Sequence, residues 1–114
     1  MRVCVVGTWL GQAYWGTGAN AESKALVARL VFEELRMERL GAWVDVRNPR
    51  SQKALERLGF VREGTLRAFH RHGDERRDVV AYSLLREDWL GSELVAVAAE
   101  VVGEPPPAFV CAPR

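Results

Sequence analysis

The order of the first three segments constrains this chain more than any other feature of its sequence. A β-branched run over residues 3–6 leads into a glycine-bearing stretch from Thr8 to Lys24, and a helix-patterned segment follows from Ala21 to about Glu38. Strand, loop and helix in that order aim several free backbone N–H groups at one point. The helix start adds about half a positive charge there. Phosphates bind such places without a basic side chain. Gly16 and Gly18 have a physical reason to be glycine, because a Cβ would block positive φ and the close approach of a phosphate oxygen. Plain turn chemistry is the more common origin of a short match of this kind, so the rest of the chain has to decide.

Met1 to Leu10 reads as the first strand. Helix one places Leu26, Val27, Leu30, Val31 and Leu35 on one stripe, with Asn20 as its cap, Glu22 in its first turn and Gly41 at its end. A second strand is expected over 42–47, with Trp43 and Val44 apolar. Asn48 then caps a short helix whose first turn holds Pro49 and whose apolar face is Ala54, Leu55 and Leu58; Gly59 stops it in the left-handed conformation. Phe60 to about His72 and Asp78 to Leu85 read as strands joined by a turn at Gly73-Asp74. The second of these is almost wholly apolar and suits a strand covered on both faces. The pattern is β-α-β-α-β-β. From Gly91 the character changes to a weak helix over 95–102 and an irregular, proline-bearing tail. The chain therefore divides into a unit over 1–90 and an appendage over 91–114.

With 114 residues the chain holds at most one domain and buries roughly 65% of its unfolded surface. A net charge of +1 argues against nucleic-acid or membrane binding through a broad basic field. The two cysteines, Cys4 and Cys111, lack metal-ligand spacing, so no metal site is expected. No signal peptide or bilayer-length apolar run is seen, which makes the cytoplasm the simplest address.

Three blocks resemble the C-terminal half of a GNAT-superfamily N-acetyltransferase. Trp15-Gly16-Thr17-Gly18-Ala19-Asn20, with Glu22 and Lys24, resembles the loop that holds the pyrophosphate of acetyl-CoA. Asn48-x-x-Ser51 followed by Ala54-Leu55-Glu56-Arg57-Leu58-Gly59-Phe60 resembles the next cofactor element. Arg77 to Leu85, ending near Trp89, resembles the closing strand of the branch that acetylates ribosomal-protein N-termini. The match covers roughly residues 3–90.

The resemblance implies a partial GNAT fold of the α/β class (α+β in some schemes) with a mixed sheet, lacking the usual N-terminal strands and helices. It implies that the strands near 3–10 and 42–47 splay apart and that coenzyme A lies between them. Backbone groups of Trp9 and Leu10 would pair with the pantetheine arm, and the Leu10 N–H would act as the oxyanion donor. Trp15, Gly16, Thr17, Gly18, Ala19 and Asn20 would line the pyrophosphate site, with Asn48 and Ser51 on the pantetheine side.

The chain departs from the family pattern in three places. Ala13 stands at the loop's usual Gln/Arg position. Leu55 stands where many members carry the tyrosine that protonates the leaving thiolate, so Ser51 is the remaining acid, or else a first-turn serine bonded to the backbone. The segments that supply the acceptor pocket and often the general base are absent from the sequence.

The expected activity is acetyl transfer from acetyl-CoA to a primary amine, either a protein N-terminus or a small molecule. The alternative is an inactive CoA-binding or interaction module. A homodimer is expected to cover the open sheet edge. Outside these blocks, His70 and His72 read as strand histidines, Arg67, Arg71, Arg76 and Arg77 as hairpin charges, Tyr82 as core, and Asp45 with Arg47 as an ion pair.

Overall fold

A computed structural model describes residues 3–6, 19–97, 102–104 and 106–110. Four strands form one mixed sheet in the order β1-β2-β4-β3: β1 (Val3–Val6), β2 (Arg39–Asp45), β3 (Val61–His72) and β4 (Glu75–Leu85). β1 runs parallel to β2, from Val3 opposite Arg39 to Val6 opposite Ala42. The other two pairings are antiparallel, as the short β3–β4 turn requires. Gly73 has φ +64°, the conformation that a tight hairpin asks of glycine. Residues 3–6 are thus hydrogen-bonded to β2, and the expected parting of the two strands is not present there. The rest of that expectation concerns residues 7–10, which lie outside the described residues.

Among the described residues the three α-helices pack on one face of the sheet. α1 (Ala19–Arg29), α2 (Pro49–Arg57) and α3 (Arg86–Leu90) share a single core with the alternate strand residues Leu40, Ala42, Val44, Val80, Tyr82 and Leu84. Tyr82 is buried there as expected, and its hydroxyl donates to Glu56 Oε1 at 3.3 Å. Burial and the nearby Glu56 carboxylate hold its pKa above the ordinary value, so it stays protonated.

The core-facing stripe of α1 differs from the expected one. Ala25, Ala28, Val31 and Phe32 are buried, whereas Leu26 and Leu30 are exposed. Apolar residues occur on both sides of this helix, so spacing alone leaves two stripes; the small alanines win because they let the helix lie close to the sheet.

The helix also ends early. It passes into a π-helical turn, Leu30–Glu34, closed by the Leu35 N–H on the Leu30 carbonyl at 2.8 Å. Arg36, two residues after the π-helical turn, takes the left-handed conformation, φ +55°. Arg86 then caps the end, its guanidinium donating to the carbonyls of Phe32 at 2.7 Å and Met37 at 2.8 Å. Gly41 therefore does not stop a helix. It sits inside β2 opposite Ser83, and β2 spans 39–45 where 42–47 was expected. Asn20 is likewise not a cap, because Ala19, a stronger helix former, is already helical.

α2 begins and ends as its sequence indicates, with Asn48 as cap, Pro49 in the first turn and Gly59 at φ +97°. Of the weak helix expected over 95–102, residues 95 and 96 belong to a 3-10 turn, Glu93–Ala96, and residues 98–101 lie outside the described residues. Leu94 of this turn is buried in the core, and Arg29 donates to the Val95 and Val97 carbonyls at 2.8 and 3.1 Å. No helix among the described residues is long and apolar enough to cross a membrane.

Candidate functional site

Of the residues expected to hold coenzyme A, Trp9, Leu10, Trp15, Gly16, Thr17 and Gly18 lie outside the described residues. Ala19 and Asn20 are the first two residues of α1, so the backbone N–H groups that open this helix belong to the place where the loop arrives. Beside that helix start lies a cavity of about 530 Å³. Ala21 and Glu22 form its α1 wall, Arg57 and Gly59 its α2 wall, and Ser92 and Leu94 close the third side. The walls combine apolar surface with one cation, Arg57, and two carboxylates, Glu22 and Glu93. Gly59 is held at φ +97°, a conformation that other residues rarely adopt, and a Cβ there would make only ordinary contact with the Ser92 Cβ at 3.7 Å. Lys24, one turn into α1, is buried, and burial lowers its pKa.

Asn48 and Ser51 meet at the start of α2. The Ser51 N–H donates to Asn48 Oδ1 at 3.2 Å, which caps the helix, and Asn48 Nδ2 donates to Ser51 Oγ at 3.0 Å. The amide takes one lone pair of the hydroxyl and leaves its O–H for another acceptor. Leu55 is buried in the core, where it has no proton to give. Arg57 and the 91–94 wall had no signal in the sequence, since only the packing of α2 against the C-terminal stretch brings them to α1.

At the far end of β2 the expected Asp45–Arg47 pair is part of a larger network. Asp45 Oδ1 accepts the Arg47 N–H at 2.8 Å, and Oδ2 accepts from Arg77 Nη1 at 3.1 Å. Glu75 in turn receives Arg47 at 3.0 Å and Arg77 at 3.5 Å. The Arg47 backbone bond, then the Arg77 guanidinium, hold Asp45 below its ordinary 3.8 against the opposing effect of burial. A carboxyl depressed in the folded state stabilises it above the unfolded value and ceases to as pH falls through the folded one. We therefore expect the thermal stability advantage of the wild-type chain over Asp45→Asn to be complete at pH 7 and to shrink below pH 3.8, as read by calorimetric melts at both pH values.

A family model described as an acetyltransferase (GNAT) domain matches residues 1–61. YdaF of Bacillus subtilis (strain 168), provisionally named a ribosomal N-acetyltransferase, is 30% identical over 92 residues, which are 81% of this chain and 50% of that protein. A provisionally named acetyltransferase from T. thermophilus is 52% identical at a TM-score of 0.73, covering 76% of this chain and 47% of the other. The spermidine/spermine N-acetyltransferase SpeG of Vibrio cholerae, at 22% identity and a TM-score of 0.71 over 79% of this chain and 53% of its own, shares the fold. The chain thus spans about half the length of the relatives it matches.

Proposed function

Because the chain belongs to the GNAT acetyltransferase family, we propose that it binds acetyl-CoA at the amino end of α1 and transfers the acetyl group to a primary amine by direct attack. The observation that carries this reading is the cavity of about 530 Å³ beside the first turn of α1, where the glycine loop enters the helix. In this reading the main-chain amides of Gly16, Thr17, Gly18, Ala19 and Asn20 hold the pyrophosphate, with Trp15 beside them. The backbone at Trp9 and Leu10 pairs with the pantetheine, and the Leu10 N–H polarises the thioester carbonyl. Arg57, on the cavity wall, is suited to an anionic group of the cofactor.

The neutral amine attacks the acetyl carbon; as the tetrahedral adduct collapses the C–S bond breaks, the leaving thiolate takes the Ser51 proton, and the proton shed by the nitrogen passes through water back to Ser51 Oγ. Asn48 holds that hydroxyl by its oxygen, which is the orientation a donor needs. Ser51→Ala should then lower kcat about a hundredfold with KM for acetyl-CoA unchanged. Equal losses in kcat and affinity would assign Ser51 to binding. The test of the whole reading is thiol release from acetyl-CoA with a panel of amines. Cofactor binding without turnover would instead support an inactive CoA-binding module. Among the described residues β1 has a strand on one side only, and a second copy laid along that edge is the assembly we propose, which sedimentation would report as a dimer.

A further inference from the structure

Resting on the acetyl-CoA reading, we propose that Arg29 is a positioning residue for the cofactor: it clamps residues 92–97 in place as the third wall of the cavity, and so sets the affinity for acetyl-CoA without touching it. Ser92, Glu93, Leu94 and Val97 line the cavity beside the start of α1, whereas Arg29, in the last turn of that helix, does not. From Glu22 on the cavity wall to Arg29 the helix rises about 10 Å. An effect of Arg29 on a ligand there has to pass through the wall it holds.

The wall needs a clamp because little of it is regular structure. Beyond α3 it consists of one 3-10 turn whose own hydrogen bonds are local. Ser92 Oγ donates to the Trp89 carbonyl at 2.8 Å and accepts the Leu94 N–H at 3.3 Å, and the Val97 N–H donates to the Leu94 carbonyl at 3.3 Å. These bonds tie the near end to α3, and the buried side chain of Leu94 anchors the middle. At the far end Arg29 Nη2 donates to the carbonyls of both Val95 and Val97, at 2.8 and 3.1 Å, across more than sixty residues of sequence.

The guanidinium is itself fixed on two further sides. Its Nη1 donates to Glu33 Oε2 at 2.5 Å, one turn on, and its central carbon lies 5.8 Å from the centroid of the Trp89 ring. A donor held in this way arrives at the two carbonyls already oriented, so the wall stands before any ligand enters. A ligand whose site is complete in only a fraction of the molecules binds more weakly by that fraction. Losing the clamp therefore lowers affinity and leaves alone the reacting end of the cofactor, which lies at Leu10 and Ser51 in the acetyl-transfer reading.

The test titrates acetyl-CoA by calorimetry into the full chain and into Arg29→Met, which keeps an aliphatic stem beside Trp89 and removes the donors, at a temperature where melts show both folded. Arg29→Met should weaken acetyl-CoA about tenfold. In the thiol-release assay KM for acetyl-CoA should rise by the same factor with kcat unchanged, a split that a loss of stability alone does not produce. In the unaltered chain acetyl-CoA should slow hydrogen exchange of the Leu94 and Val97 amides about tenfold, a measurement that carries the proposal if Arg29→Met does not fold. Unchanged affinity in folded Arg29→Met, a fall in kcat with KM unchanged, or exchange at Leu94 and Val97 indifferent to acetyl-CoA would overturn the proposal. If the unaltered chain binds acetyl-CoA and any of these three results appears, this inference alone falls. If the unaltered chain does not bind acetyl-CoA, the acetyl-CoA reading falls and takes the inference with it.

Discussion

Phe32→Ala should lower the stability of the chain by about 3–5 kcal/mol, the largest effect expected of any single truncation here. Phe32 is fully buried and stacks on Trp89, with ring centroids 5.5 Å apart at 26°. It lies in the π-helical turn, and its carbonyl and ring both meet Arg86. Three elements distant in sequence thus converge on one side chain: the end of α1, the start of α3, and the strand face carrying Leu40 and Leu84. Removing the ring leaves a cavity between elements that already have few other ways to close it. A loss of that size is a large share of the roughly 5–15 kcal/mol available to an ordinary domain. The melting midpoint should fall by roughly 15 °C or more, read by calorimetry or circular dichroism at neutral pH. A fall of only a few degrees would mean that Phe32 does not anchor this junction.

The second large effect is on binding. Gly18→Glu should weaken acetyl-CoA binding about a hundredfold or more, equivalent to roughly 2.7 kcal/mol, with the melting midpoint nearly unchanged. Gly18 precedes Ala19, the first residue of α1. A glutamate there brings a carboxylate to the amino end of the helix, where the same N–H groups and dipole that would hold a phosphate can hold the side chain instead. It also adds bulk where a phosphate oxygen must approach the backbone. Because acidic residues near a helix start favour the helix, the fold should tolerate the change while the site does not. Calorimetric titration with acetyl-CoA separates the two quantities.

What the sequence made legible was local. Asn48-Pro49 marks the start of α2 because cap and first-turn chemistry act within three residues, and Gly59 and Gly73 mark their turns because positive φ is a single-residue property. The strand–helix order and the family resemblance were legible for the same reason. What depends on distant residues was not. Arg86, more than fifty residues after Phe32, satisfies the Phe32 carbonyl of the π-helical turn and the Met37 carbonyl of the loop beyond it, and no pattern between Leu30 and Gly41 carries that information. The leucine stripe misled because exposed Leu26 and Leu30 look the same as buried ones in a periodicity argument.

The candidate site divides in the same way. Asn48 and Ser51 were singled out together by the family resemblance of Asn48-x-x-Ser51, and their reciprocal hydrogen bonds follow from the three-residue spacing of a helix cap. The cavity wall formed by Arg57, Ser92 and Leu94 arises from packing.

The central claim is that this chain holds acetyl-CoA through main-chain amides at the amino end of α1. Calorimetric titration of acetyl-CoA into the unaltered 114-residue chain tests it most directly. A saturable exothermic or endothermic isotherm with one cofactor per chain is the predicted result. A titration that shows only heats of dilution, at protein and ligand concentrations where the folded chain is intact, would contradict it.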